Sequence, residues 1–179
     1  FTVLGANVIS SSESNRLTLD QGIKLAVDET CLPIKVYFGH VQELCQQDLD
    51  FIFIPRLVSV EPKSYICPKF MGVPDMIRAA FDNLPPLIDI TIDVSKSDRP
   101  LKRDIMRVGS LFTKDNSRIN RAYTHACQEN RFCRLLAREG YTMAEAISLW
   151  EGQPVKNPAS GDLNIGVLGH GYSLYDSYI

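Results

Sequence analysis

The sequence has no basic excess: 19 lysines and arginines stand against 21 acidic residues, for a formal charge of −2. Without a surplus of positive charge to neutralise a phosphate backbone, nucleic acid is not an expected partner. No apolar run reaches the roughly 20 residues that cross a bilayer as a helix. Nothing near Phe1 joins a charged start to an apolar centre as a secretory signal does. The expectation is a cytoplasmic protein with no membrane contact. Cysteine is sparse, five in 179 residues, odd in number and without Cys-x-x-Cys spacing. That pattern argues against the disulfide framework of a small secreted domain and for reduced thiols or metal ligands. Repeats, low-complexity runs and blocks of like charge are also missing, which leaves periodicity and punctuation to carry the fold. There is no Gly-x-Gly-x-x-Gly fingerprint for a dinucleotide and no Ser/His/Asp order for a hydrolase.

What the chain does have is 45% hydrophobic residues, enough at this length to bury one sizeable core. Phe51, Ile52, Phe53 and Ile54 form a continuous apolar run closed by Pro55, the pattern of a short strand covered on both faces, as in parallel sheets. Ile88, Ile90, Ile92 and Val94 alternate with Asp89, Thr91 and Asp93, the period of a strand with one wet face nearer the sheet edge. Further strands are expected at 6–10 and 163–168. Helices are expected at 20–28, capped by Asp20, and at 34–46, opened by Pro33. A short helix follows at 74–81, after a long connection over 56–70. Pro100 opens a helix to 112, Ser117 opens one closed at Gly140, and the capping-box pair Thr142 and Glu145 opens 143–150 before Gly152 and Pro154 end it. Strands separated by helices predict an α/β fold, a mostly parallel sheet flanked by helices. It is expected over residues 1–160, with 161–179 supplying the first strand and turn of a truncated second unit or a return strand to the same sheet.

The chemistry centres on two cysteines in similar settings. Cys31 precedes Leu32, Pro33, Ile34 and Lys35, and Cys67 precedes Pro68 and Lys69. If Pro33 opens a helix, Cys31 lies at its positive end, where the helix dipole and Lys35 favour an anionic sulfur, the form that binds iron. Pro68 biases Cys67 toward extended backbone in the connection after the 51–55 strand. Ligands in parallel α/β sheets collect beyond the carboxyl ends of strands, so both sulfurs are expected to reach one site. Free cysteine more often serves as a small buried apolar residue, the reading given to Cys45 on a predicted helix. Cys127 and Cys133 are six positions apart on another, pointing roughly 120° apart, and do not share a metal. His40 shares a helix face with Val36 and Leu44; it is first a buried structural histidine and second a binding candidate. Lys35 and Lys69 either solvate a face or hold an acidic group and tune a cluster. A zinc site of Cys31, Cys67 and His40 is a rival arrangement.

The run Glu29, Thr30, Cys31, Leu32, Pro33, Ile34, Lys35, the Gly39-His40-Val41 step, the strand around Phe51 to Pro55 and the stretch Tyr65, Ile66, Cys67, Pro68, Lys69, Phe70 resemble the uncharacterised domain of CoA-substrate-specific enzyme activases. Gly169, His170, Gly171 and Tyr172 resemble that family's Gly-His-Pro-Tyr turn, with Gly171 in place of proline. The family is related to 2-hydroxyacyl-CoA (2-hydroxyglutaryl-CoA) dehydratase subunits. The resemblance implies a Rossmann-like unit that is a fragment of a two-lobed protein, holding an iron-sulfur cluster of the 4Fe-4S type. Cys31 and Cys67 are then metal ligands, and Lys35, His40 and Lys69 lie near the bound group. The implied function is one-electron transfer linked to CoA-thioester chemistry under anaerobic conditions, with an activator ATPase, the missing C-terminal half and an acyl-CoA as partners. The remaining cluster ligands would come from that missing part, a neighbouring chain or a non-protein group. The alternative is a non-catalytic interaction or regulatory domain that docks the activator without a cluster. No residue is assigned a catalytic step.

Overall fold

Pro33 sits in the first turn of a helix, where its missing N–H costs nothing. The computed structural model that shows this describes residues 1–96, 99–155, 163, 165, 166, 168–170, 172, 173, 176 and 178, with backbone only at 99 and 100. A 3-10 turn at Thr2–Leu4 is followed by a segment without regular structure and then by α1, Arg16–Leu25. This helix begins earlier than the expected 20–28. The Asn15 side chain accepts a hydrogen bond from the Thr18 N–H at 3.1 Å and caps it, while Asp20 lies inside the helix and pairs with Arg16 at 3.6 Å. The next helix, α2, spans Leu32–Cys45 with Cys31 as its N-cap residue. α1 and α2 cross with backbones touching: a Cβ at Gly22 would overlap the Lys35 carbonyl, and one at Gly39 the Thr18 carbonyl. Glycine at these two positions is a condition of the crossing.

The sheet consists of two parallel strands. One is read as β1, Ile52–Phe53, and β2, Arg56–Ser59, on either side of Ile54 and Pro55. The other is β3, Leu87–Ile88, and β4, Thr91–Asp93. Ile52 pairs with Leu87, Phe53 with Ile88, Arg56 with Thr91 and Leu57 with Ile92, and an irregularity between Leu57 and Ser59 brings Ser59 opposite Asp93. The N–H groups of Ile52, Ile54 and Arg56 donate to the carbonyls of Pro86, Ile88 and Ile90 at 3.0, 3.0 and 2.9 Å, so the ladder runs through Pro55 without a break. The expected connection over 56–70 therefore begins as strand.

The apolar run at 51–54 is not covered on both faces as expected. Ile52 and Ile54 are 3% and 1% exposed, whereas Phe51 and Phe53 are 43% and 41% exposed. The inner face packs on Ile34, Phe38 and Val41 of α2 and on Val73 and Ile77 of α3, Pro68–Ala80. On the other face, Ile88 and Ile90 pack with Val108 of α4, Arg99–Gly109, and with Phe112. Helices therefore flank the parallel ladder on both sides, and the α/β class holds. Burying each such isoleucine contributes about 1.5–3 kcal/mol, which makes these two clusters the main source of cohesion in the first unit.

Two expected strands do not appear among the described residues. Residues 6–10 lie in no helix or turn but pair with no strand among the described residues, and of 163–168, residues 163, 165, 166 and 168 are not in a strand while 164 and 167 lie outside the described residues. The C-terminal helices follow their punctuation more closely. Asp115 accepts from the N–H groups of Ser117 and Arg118 at the start of α5, Asn116–Arg138, and Gly140 takes φ 98° just after its end. Thr142 and Glu145 form the full capping box of α6, Met143–Trp150. The chain divides into two compact units, one built on Phe1–Asn120 and one on Arg121–Ser177. The expected boundary at 160–161 falls on 156–162, outside the described residues. No helix among the described residues is long and apolar enough to cross a membrane.

Candidate functional site

α3 runs antiparallel to the strand it follows. Arg56 reaches Asp75 near the middle of the helix, and Arg78, further along α3, reaches Asp89, which precedes the partner of Arg56 in the ladder. α2 leads into β1 through a short connection, and Leu44 and Leu49 pack on the same core as Ile52. Topology therefore turns the starts of α2 and α3 toward the carboxyl end of the ladder, the end where ligands collect in parallel sheets.

Each of those starts is a cysteine. The Cys31 carbonyl accepts from the N–H groups of Ile34 and Lys35 at 3.1 and 3.2 Å, and the Cys67 carbonyl from those of Phe70 and Met71 at 3.0 and 3.3 Å. Cys31 has extended backbone and Cys67 lies outside the helical region at φ −51° and ψ 135°; both side chains are exposed, and neither sulfur makes a capping hydrogen bond. The helix after Cys67 begins six residues before the expected 74. Pro68 at its first position was the available signal; Pro74, which normally ends a helix, concealed it. Pro74 is instead buried inside α3.

Lys35 donates from Nζ to the Asp28 carbonyl at 3.0 Å and so braces the turn that presents Cys31. Lys69 lies exposed in the first turn of α3. His40 belongs elsewhere: it is nine residues beyond Cys31 on α2, roughly 14 Å along the axis at about 1.5 Å per residue. Its Nε2 lies 3.1 Å from the Ser14 hydroxyl, and its buried Nδ1 has no partner among the described residues. The zinc arrangement of Cys31, Cys67 and His40 is not assembled, and no group of three or more His, Cys, Asp or Glu residues among those described is placed to hold a metal. Cys45 is half-buried, and burial pushes its thiol up from the usual range.

For an iron-sulfur cluster, the donors at Cys31 and Cys67 fit in atom type and exposure but make up half of the four sulfurs that such a cluster ordinarily takes. A feature with no signal in the sequence is the ion-pair chain that fixes α3. Arg56 donates to the Met71 carbonyl at 2.6 Å and pairs with Asp75 at 2.7 Å; Asp75 pairs with Arg78 at 3.4 Å, and Arg78 with Asp89 at 2.6 Å. The hydrogen bond from Arg56 holds the Asp75 carboxyl below its usual range. In the second unit, the rings of His170 and Tyr172 stack with centroids 5.5 Å apart, and Gly171 between them lies outside the described residues.

No curated protein and no solved structure matches the chain. The family model of the CoA enzyme activase uncharacterised domain matches residues 1–179, and the chain belongs to that family.

Proposed function

We propose that the chain is a cluster-binding component of the 2-hydroxyacyl-CoA dehydratase and activase superfamily, a Rossmann-like unit of a two-lobed parent, with Cys31 and Cys67 as two of the sulfur ligands. The observation that carries this reading is their equivalence. Each is exposed, each immediately precedes a helix with proline in its first turn, and the parallel ladder turns both helix starts toward its carboxyl end. The free N–H groups of a first helical turn attract negative charge, and neither thiol uses them in capping. An anionic group held by the two sulfurs would find those donors available.

When bound, a four-iron cluster supplies one-electron transfer, here linked to CoA-thioester chemistry. Lys35 holds the turn before Cys31 and, with Lys69, places positive charge on the side that an acidic CoA group would approach. His40 takes a positioning part, anchoring Ser14 to α2. The other ligands come from the rest of the parent protein or a neighbouring chain, and the setting is an oxygen-poor cytoplasm.

Anaerobic expression of the intact parent, followed by iron and acid-labile sulfide analysis, tests the assignment. Iron and sulfide are expected together, with clear losses in Cys31→Ser and in Cys67→Ser and none in Cys45→Ser. Protein free of iron from the outset, or indifferent to both substitutions, overturns it. A second reading, a docking module for an activator ATPase, is favoured by the exposed apolar side chains of the second unit: Trp150 is 50% and Ile147 44% exposed. Tight binding of the activator by iron-free protein, lost in Trp150→Ser, would select that reading.

A further inference from the structure

In a parallel ladder, successive residues offer their backbone groups to opposite edges. Ile52 and Ile54 donate toward the strand of β3, so the N–H and C=O of Phe51 and Phe53 face the other edge of β1. No strand pairs with that edge among the described residues. Residues 6–9, which lie in no helix, turn or strand, line one cleft together with Phe51, Ile52 and Phe53, and residues 7–9 make no ladder hydrogen bond among the described residues.

Between these two backbones lies a cleft of about 280 Å³, walled by Val8 and Ile9 on one side and Phe51 and Phe53 on the other. Leu44, from the α2 face of the ladder, and Phe112, from the α4 face, also line it, so the cleft wraps the strand edge instead of lying on one face of the sheet. Its walls are left wet: Val8, Ile9, Phe51 and Phe53 are 55%, 44%, 43% and 41% exposed.

The chemistry of the walls selects the occupant. A small-molecule pocket places several polar side chains to fix its ligand. Here Asn7 is the single polar side chain in the lining, and the other polar groups are those of the two unpaired backbones. Unpaired backbone beside apolar side chains on both faces is a template for another strand.

We infer that the cleft seats one further β-strand of the same parent polypeptide, apolar on both faces, paired with the open edge of β1 and on its other side with residues 6–9. The family is a domain of CoA enzyme activases, so such a parent carries further polypeptide from which the strand comes. Seating it makes residues 6–9 a strand as well and dries Phe51 and Phe53, as the apolar run at 51–54 predicts. The inference is independent of the cluster assignment.

Hydrogen exchange tests it. In the chain of residues 1–179, the amides of Val8, Phe51 and Phe53 are expected to exchange freely while Ile52 and Ile54 are protected. In the intact parent, Val8, Phe51 and Phe53 should slow by about tenfold or more, as paired strand amides do. Equal lability in both proteins overturns the inference. As a second measurement, benzoylphenylalanine in place of the exposed Val8 in the intact parent should photo-crosslink to a segment of the same chain that lies outside residues 1–179. A crosslink between two chains, or none, overturns the assignment of the occupant.

Discussion

Gly39 lies in one of the motifs that carry the family resemblance, and at the scale of single residues its role is steric. The Thr18 carbonyl occupies the space a Cβ would need, and Gly22 meets the Lys35 carbonyl in the same way. Because backbone cannot move aside as a flexible side chain can, Gly39→Ala should cost about 1–3 kcal/mol, read as a lower denaturation midpoint. An unchanged midpoint would show that the two helices can separate freely. The cysteines sort by exposure on the same scale. A thiol reagent at neutral pH should label Cys31, Cys67 and Cys127 before Cys45, whose thiol is pushed up by burial. Peptide mass mapping would reveal the order, and early labelling of Cys45 would contradict its half-buried place at the end of α2.

Among the elements, the helix starts divide into two kinds. α1 and α6 are capped by side chains, from Asn15 and from the Thr142 and Glu145 box, whereas α2 and α3 begin at cysteines that cap nothing. Thr142→Ala should therefore lower the helix content of α6 and cost about 1 kcal/mol, visible as faster amide exchange at Ala144 and Glu145. The corresponding Cys31→Ser replacement supplies a capping hydroxyl, so it should leave α2 at least as stable while removing the sulfur. This separates a ligand role from a structural one in the iron analysis. The Thr142 box was legible from its spacing, and so was Pro33. The start of α3 was not, because Pro68 and Pro74 give opposite local signals and the choice rests on burying Val73, Pro74 and Ile77 against the ladder.

For the first unit as a whole, the anchoring of α3 on the ladder depends on ionised carboxylates. The Arg56 hydrogen bond lowers the folded-state affinity of Asp75 for a proton. The stabilisation from this pair is thus fully present above the unfolded carboxylate value and is lost as pH falls through the lower folded value. Acid titration of the wild type should show this loss, and Asp75→Asn should flatten the acid limb of the stability profile. An unchanged limb would mean that the exposed pair contributes nothing measurable.

By itself, the sequence determined the local events. Capping boxes, prolines in first turns, the alternation at 88–94 and the two Cys-Pro-Lys neighbourhoods act over a few residues, where backbone sterics and hydrogen bonding decide the outcome. Tertiary structure decided which face of the 51–54 run is dry, that 56–59 continues the ladder, and that residues 6–10 pair with no strand among the described residues. Each of these depends on which segments become neighbours in space. An extended segment becomes a strand only when another backbone pairs with it, and a buried face exists only where something covers it.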